Sequence, residues 1–194
     1  MLQLLPMSDK LFIPIILGTA REGRQSEKVA KFVLAETKKH PNITTELLDV
    51  RDFRPPATDN TGKSDLAKKF AEKISPADGF IIVSPEYNRS YPGELKMMLD
   101  MLRTEYRRKP LAICGVSNGP VGGGRMVEQL RIVAIDLQMV PIRAAVLFPN
   151  VDDLFDDNQE IRDPGYAGKV AKMLQDLVWY AAALRHASLN PGVI

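Results

Sequence analysis

The chain has 194 residues, a hydrophobic fraction of 45% and one cysteine, enough for one domain with a substantial core and too few thiols for an internal disulfide. Lys and Arg total 26 against 24 for Asp and Glu, which excludes the large positive field on which nucleic-acid or acidic-membrane binding relies. No segment reaches membrane-spanning length and the first residues lack a signal-peptide pattern, so the cytoplasm is the expected compartment. Met7 offers an alternative start, so residues 1–10 are expected as a disordered extension and 11–194 as a single folded domain.

Apolar runs alternate with amphipathic stretches along the chain, the pattern of a parallel sheet covered by helices. The first strand is expected over 14–17, with Pro14 at its first residue because proline has no donor for a central ladder. A helix over 26–39 follows, with Val29, Phe32 and Val33 on one face. The second strand, over 43–50, mixes Thr44, Thr45, Glu46 and Asp49 with Ile43, Leu47 and Leu48, as an edge strand does. A polar loop with Pro55, Pro56, Asn60 and Gly62 leads to a helix over 64–74.

The third strand, over 79–83, is continuously apolar, as a strand covered on both faces must be. The helix over 92–102 carries Leu95, Met98, Leu99 and Leu102 on one stripe and Met97 with Met101 on the opposite side. That second apolar face predicts a homodimer packed through this helix. The basic run over 103–109 reads as a solvated helix end. The fourth strand spans 111–116, with Cys114 inside it as a small buried hydrophobe, and the fifth spans 140–147. Asp152, Asp153, Asp156 and Asp157 then form an acidic run whose spacing departs from a calcium loop, so a solvated loop is expected. The closing helix, over 163–185, sets Val170, Met173, Leu174, Leu177, Val178 and Ala181 at three-and-four spacing against the sheet. His40 and His186 read as surface residues, and no metal-ligand cluster is present. Five parallel strands with helices on both faces fit the flavodoxin-like order 2-1-3-4-5, in which ligands bind beyond the carboxyl ends of the strands.

Three loops meet at that edge. Residues 18–26 run from a strand into a helix, whose first N–H groups and dipole suit a phosphate, with Thr19 and Ser26 adding hydroxyls and Arg21 and Arg24 adding charge. The loop is neither a Walker A nor a Gly-x-Gly-x-x-Gly sequence, which points to a monophosphate; Ser26 as a plain helix cap is the alternative. In residues 84–93, Pro85 and Pro92 pin the backbone and leave the amides of Glu86, Tyr87 and Asn88 to meet the polar edge of a flat heterocycle, with Tyr87 able to cover its face. In residues 117–125, Ser117 and Asn118 offer side-chain bonds, and Gly119, Gly122, Gly123 and Gly124 allow close backbone approach, or serve a plain connection.

Together these loops resemble the NADPH-dependent FMN reductase family, the flavodoxin-like quinone, azo and chromate reductases. The matching residues are Gly18-Thr19-x-Arg21, Pro85-Glu86-Tyr87-Asn88, Pro92-Gly93-x-Leu95-Lys96 with Leu99-Asp100, Ser117-x-Gly119, Gly122-Gly123 and, in the closing helix, Trp179. The chain departs from the family pattern at Met97 and Met98, where relatives often carry Asn and Ala. The resemblance implies one non-covalent FMN, its phosphate at Thr19, Arg21, Arg24, Gln25 and Ser26, its ring against Pro85, Glu86, Tyr87 and Asn88 and against Ser117, Asn118, Gly119, Gly122 and Gly123. It further implies NADPH or NADH as reductant and a ping-pong passage of electrons to a quinone, azo compound, chromate or free flavin. No side chain then acts as acid or base, since the flavin carries the chemistry. An FMN-binding electron carrier or redox sensor without turnover is the alternative, though the near-neutral charge gives it no docking field. The resemblance leaves the assembly as a homodimer or a dimer of dimers.

Overall fold

The computed structural model describes residues 10–58, 60–190 and 192. The expected N-terminal extension lies outside the described residues, except for Lys10. The strands are β1 (Leu11–Phe12), β2 (Ile15–Leu17), β3 (Ile43–Thr44), β4 (Leu47–Asp49), β5 (Phe80–Pro85), β6 (Pro110–Val116) and β7 (Val140–Phe148). The helices are α1 (Ser26–Lys38), α2 (Asp65–Ile74), α3 (Gly93–Asp100), α4 (Gly124–Asp136), the single turn α5 (Val151–Leu154) and α6 (Gly165–Leu189).

One sheet holds five parallel strands in the order β4-β2-β5-β6-β7, and β1 pairs with β3 in a separate parallel pair. Counted along the chain, the main sheet therefore runs 2-1-3-4-5, in a flavodoxin-like α/β fold. The departure from the expected pattern is that the first two strands are each interrupted. Pro14 does not open a strand but falls in the gap between β1 and β2, because it has no N–H to give to the ladder. The chain stays parallel to its neighbour across the gap: the Ile13 and Ile15 amides donate to the Thr44 and Glu46 carbonyls, and the Pro14 carbonyl accepts from Ile81.

Strand alternation divides the core into two layers. Ile81 and Val83 of β5 face α1 and α6, in a cluster with Val29, Val33, Phe148 and Leu177. Phe80 and Ile82 face the other way, toward α2, α3 and α4, with Phe70, Leu95, Met98 and Leu130. Cys114 is fully buried and burial pushes its thiol up to about 12, as for an inert core residue. Burying apolar side chains on both faces of β5 and β6 explains why these strands read as unbroken hydrophobic runs.

Three expectations are corrected here. Met101 lies at the end of α3, where the chain turns inward, and is fully buried in the core, so it belongs to no outer apolar face, and of the pair expected there Met97 alone is left, half-buried. The basic run does not form a solvated helix end. It holds a 3₁₀ turn at Thr104–Tyr106 with Tyr106 fully buried, and Lys109 caps α2 by donating from Nζ to the Ile74 and Ser75 carbonyls at 3.0 and 2.7 Å. The acidic run begins as α5, and Asp156 closes a turn by accepting the Asn158 and Glu160 amides.

Candidate functional site

β2, β5 and β6 are adjacent and parallel, so their carboxyl ends deliver three loops to one edge. The loop after β2 ends at Gln25, the N-cap of α1, which makes no side-chain capping bond. The Ser26 hydroxyl and the Gln25 Oε1 are buried and have no partner among the described residues. Ser26 is thus not the plain cap of its helix. Its hydroxyl sits with the open N–H groups of a helix start, an arrangement suited to an anion.

Two residues expected at the phosphate have other partners. Thr19 is fully buried; its Oγ1 donates to Glu94 Oε1 at 3.1 Å, lies 3.1 Å from the Tyr87 hydroxyl and accepts the Arg21 amide at 3.3 Å. Glu94 also accepts the Ala20 amide at 2.8 Å. Burial pushes the Glu94 carboxyl up, but the bonds from Ala20, its own amide and Thr19 outweigh it, so its pKa lies below the ordinary value. Arg24 bonds to Asp49, Glu27 and the Thr19 carbonyl. Arg21 is exposed, with its guanidinium 5.9 Å from the centroid of the Tyr87 ring.

The loop after β5 is a two-residue turn. Tyr87 and Ser90 exchange backbone bonds of 2.8 and 3.0 Å around Asn88 and Arg89, whose φ angles are 49° and 69°. Both central residues are left-handed, as a type I′ turn requires. This corrects the expectation of three open amides: Glu86 donates to the Val116 carbonyl and Tyr87 to Ser90, which leaves the Asn88 amide. The Glu86 carboxylate turns away to cap α4, accepting the Arg125 and Met126 amides at 3.1 and 3.4 Å and pairing with the Arg125 side chain at 3.0 Å.

In the loop after β6, Gly122 and Gly123 have φ of 62° and 84°, and a Cβ on Gly123 would lie 2.5 Å from the Val116 amide nitrogen. One on Gly122 would lie 2.8 Å from the Pro149 nitrogen. These glycines let the loop pass tightly over β6 and β7. Gly119 leaves open space for a side chain and accepts a bond from the Ser117 hydroxyl at 3.1 Å.

The loops enclose a cleft of about 340 Å³ lined by Arg21, Arg24, Gln25 and Ser26 of the first loop, Pro85, Glu86 and Tyr87 of the second, and Val116, Ser117, Asn118, Val151 and Asp152. Thr19, Asn88, Gly119, Gly122 and Gly123 support this lining without being part of it. Sequence reasoning missed Val151 and Asp152, which α5 brings to the cleft, and the supports Asp49 and Glu94. The available signal for Asp49 was a carboxylate at the end of an edge strand, in register with Leu17.

A family model described as NADPH-dependent FMN reductase matches residues 12–153. An NAD(P)H-dependent FMN reductase of Schizosaccharomyces pombe is 33% identical over 158 residues, covering 76% of this chain and 77% of the relative. A quinone reductase of Escherichia coli K12 is 32% identical over 137 residues, covering 68% and 73%. Among solved structures, the NAD(P)H:(acceptor) oxidoreductase FerB of Paracoccus denitrificans has a TM-score of 0.74 at 19% identity, covering 88% of this chain and 98% of that one, and supports the fold.

Proposed function

The chain belongs to the NADPH-dependent FMN reductase family, and from that premise we propose an oxidoreductase that uses NADPH or NADH and FMN to reduce quinones and similar small acceptors. The observation that carries this reading is the pair of unpartnered buried polar groups, on Gln25 and Ser26, in a cleft that Pro85 and Tyr87 also line. A buried hydroxyl without a partner costs about 1–3 kcal/mol, so an anion that accepts from it is favoured there. The Gln25 amide can rotate to present its NH₂ group to the same anion.

In this reading the α1 amides, Ser26, Gln25 and Arg21 hold the FMN phosphate, and Pro85, Tyr87, Ser117 and Asn118 border the ring. When bound, FMN supplies the hydride chemistry at its N5 atom. The protein contributes position. Tyr87 is oriented by its contact to Thr19, which Glu94 holds in turn, so the aromatic wall is placed by the protein's own side chains. The Asn88 amide is the backbone donor left to meet the polar edge of the ring. Dinucleotide and acceptor use the same open face in turn, which makes the cycle ping-pong and admits azo compounds, chromate or free flavin as well as quinones.

Among the described residues no helix is long and apolar enough to cross a membrane, which is compatible with a cytoplasmic enzyme. The test is the visible spectrum of the purified protein loaded with FMN. Bleaching by NADPH, followed by reoxidation with a benzoquinone over many turnovers, is the expected result. A flavin spectrum that NADPH leaves unchanged would defeat the reductase reading.

A further inference from the structure

Arg24 lines the cleft together with Gln25 and Ser26, and its side chain is only 3% exposed. A guanidinium has five N–H donors, and here all five are engaged. Nε and one Nη2 donor go to Glu27 Oε2, each at 3.2 Å. Nη1 reaches Asp49 Oδ1 at 2.8 Å and the Thr19 carbonyl, while the second Nη2 donor goes to Asp49 Oδ2. None remains for a phosphate oxygen, and two carboxylates outweigh the one positive charge.

A second arginine works on the same backbone. Arg51 donates from Nε to the Ala20 carbonyl at 3.2 Å and from Nη2 to the Arg21 carbonyl at 2.8 Å. Three consecutive loop carbonyls, those of Thr19, Ala20 and Arg21, are therefore held by guanidinium groups. A trans peptide points its N–H opposite to its carbonyl, so the same bonds orient the Ala20, Arg21 and Glu22 amides: the first two go to Glu94 and to Thr19 Oγ1, and that of Glu22 is left for a ligand. Asp49 joins the two arginines: it ends β4, pairs with Arg24, and accepts the Arg51 amide at 3.0 Å.

We propose that Arg24 is a positioning residue and not a phosphate ligand: with Asp49 it fastens the loop after β2 to the end of β4 and so sets the Glu22 amide, the first amides of α1 and the Ser26 hydroxyl that meet the phosphate. The inference rests on the FMN reading of the cleft. It makes the edge strand part of the cofactor site, because moving the end of β4 moves the phosphate loop.

The experiment compares dissociation constants for FMN and for riboflavin, which lacks the phosphate, by flavin fluorescence quenching in the wild type, Arg24→Ala, Arg24→Lys and Asp49→Asn. Positioning predicts that all three variants weaken FMN by about ten-fold or more, the effect of a charged hydrogen bond, with riboflavin unchanged within about two-fold. Lysine keeps the charge but cannot reproduce the fork. Direct ligation predicts the opposite sign for Asp49→Asn, since removing a competing carboxylate frees the guanidinium and tightens FMN. FMN bound at wild-type affinity or tighter by Asp49→Asn overturns the proposal, as does wild-type FMN affinity in Arg24→Lys or an equal loss of both flavins. Should Arg24→Ala not fold, the lysine and asparagine variants carry the comparison alone. A wild type that takes up FMN and riboflavin equally overturns the phosphate reading itself, before any variant is compared.

Discussion

The loop after β2 and the loop after β6 each leave a buried strand and enter a helix, and both are rich in small and polar residues, yet they are held by different means. The first is fixed by charged side chains: its own Arg24 and, from beyond β4, Arg51 hold its carbonyls, Glu94 takes its Ala20 amide, and Ser26 and Gln25 are left with open polar atoms facing the cleft. The second is fixed by contact of backbone on backbone, with Gly122 and Gly123 lying where no Cβ fits. A run of glycines thus measures how closely two stretches of chain pass. Buried polar atoms without partners mark room for a ligand's own polar atoms where they line a cleft, as at Gln25 and Ser26 and unlike the Tyr106 hydroxyl in the core.

The largest test of that contrast is Gly123→Ala. The added carbon would press on the Val116 amide at a φ of 84°, and overpacking against rigid backbone combined with a left-handed alanine should cost about 3 kcal/mol or more. Urea unfolding measures it; a variant as stable as the wild type would break the comparison. Next in size are Ser26→Ala and Arg21→Ala, each expected to weaken FMN by about 1.5–3 kcal/mol, the worth of a charged hydrogen bond. The urea midpoint of Arg21→Ala should stay within error of the wild type, and that of Ser26→Ala without FMN should rise, because the variant removes an unpartnered buried hydroxyl. Calorimetric titration showing undiminished FMN binding in either variant would remove that residue from the phosphate site.

A control far from both loops is Lys109, where burial pushes the ammonium down to about 8 despite Asp78 and Glu105. Between about pH 8 and the ordinary lysine value of 10.5 the unfolded chain binds more protons at this site than the folded one. Stability contributed here therefore rises with pH across that window. Lys109→Met should flatten this part of the pH profile of the urea midpoint while leaving FMN affinity alone; an unchanged profile would show that the lysine titrates normally. The smallest effect is expected at Arg89, a non-glycine residue at φ 69° in the turn after β5. Arg89→Gly should stabilise the fold by about 0.5–1 kcal/mol, read as a small rise in melting temperature, and a fall would mean that the arginine side chain has a packing role in the turn.

Much of the architecture was legible because it rests on local periodicity. The apolar runs of β5 and β6 and the three-and-four spacing in α6 state which faces are buried, and the alternation of strands with helices leads to a parallel sheet with a cleft at its carboxyl edge. Gln25, Ser26, Pro85 and Tyr87 stood out because turn and helix-start chemistry is written in neighbouring residues. What the sequence could not state is which donor meets which acceptor across long separations. Glu86 lines the cleft, as its place in the loop suggests, but its neighbours in sequence do not tell that α4, 39 residues away, aims its first amides at the carboxylate. Arg24 reads as a phosphate ligand until β4 brings Asp49 to its guanidinium, and Met101 reads as an outer face until the chain turns it inward. The sequence alone determined the layers, the edge where the loops gather and the chemistry available there, because these follow from short-range pattern. Only the tertiary structure decided which polar groups are satisfied within the protein and which remain for the cofactor, because a hydrogen bond depends on the meeting of atoms that the chain order keeps apart.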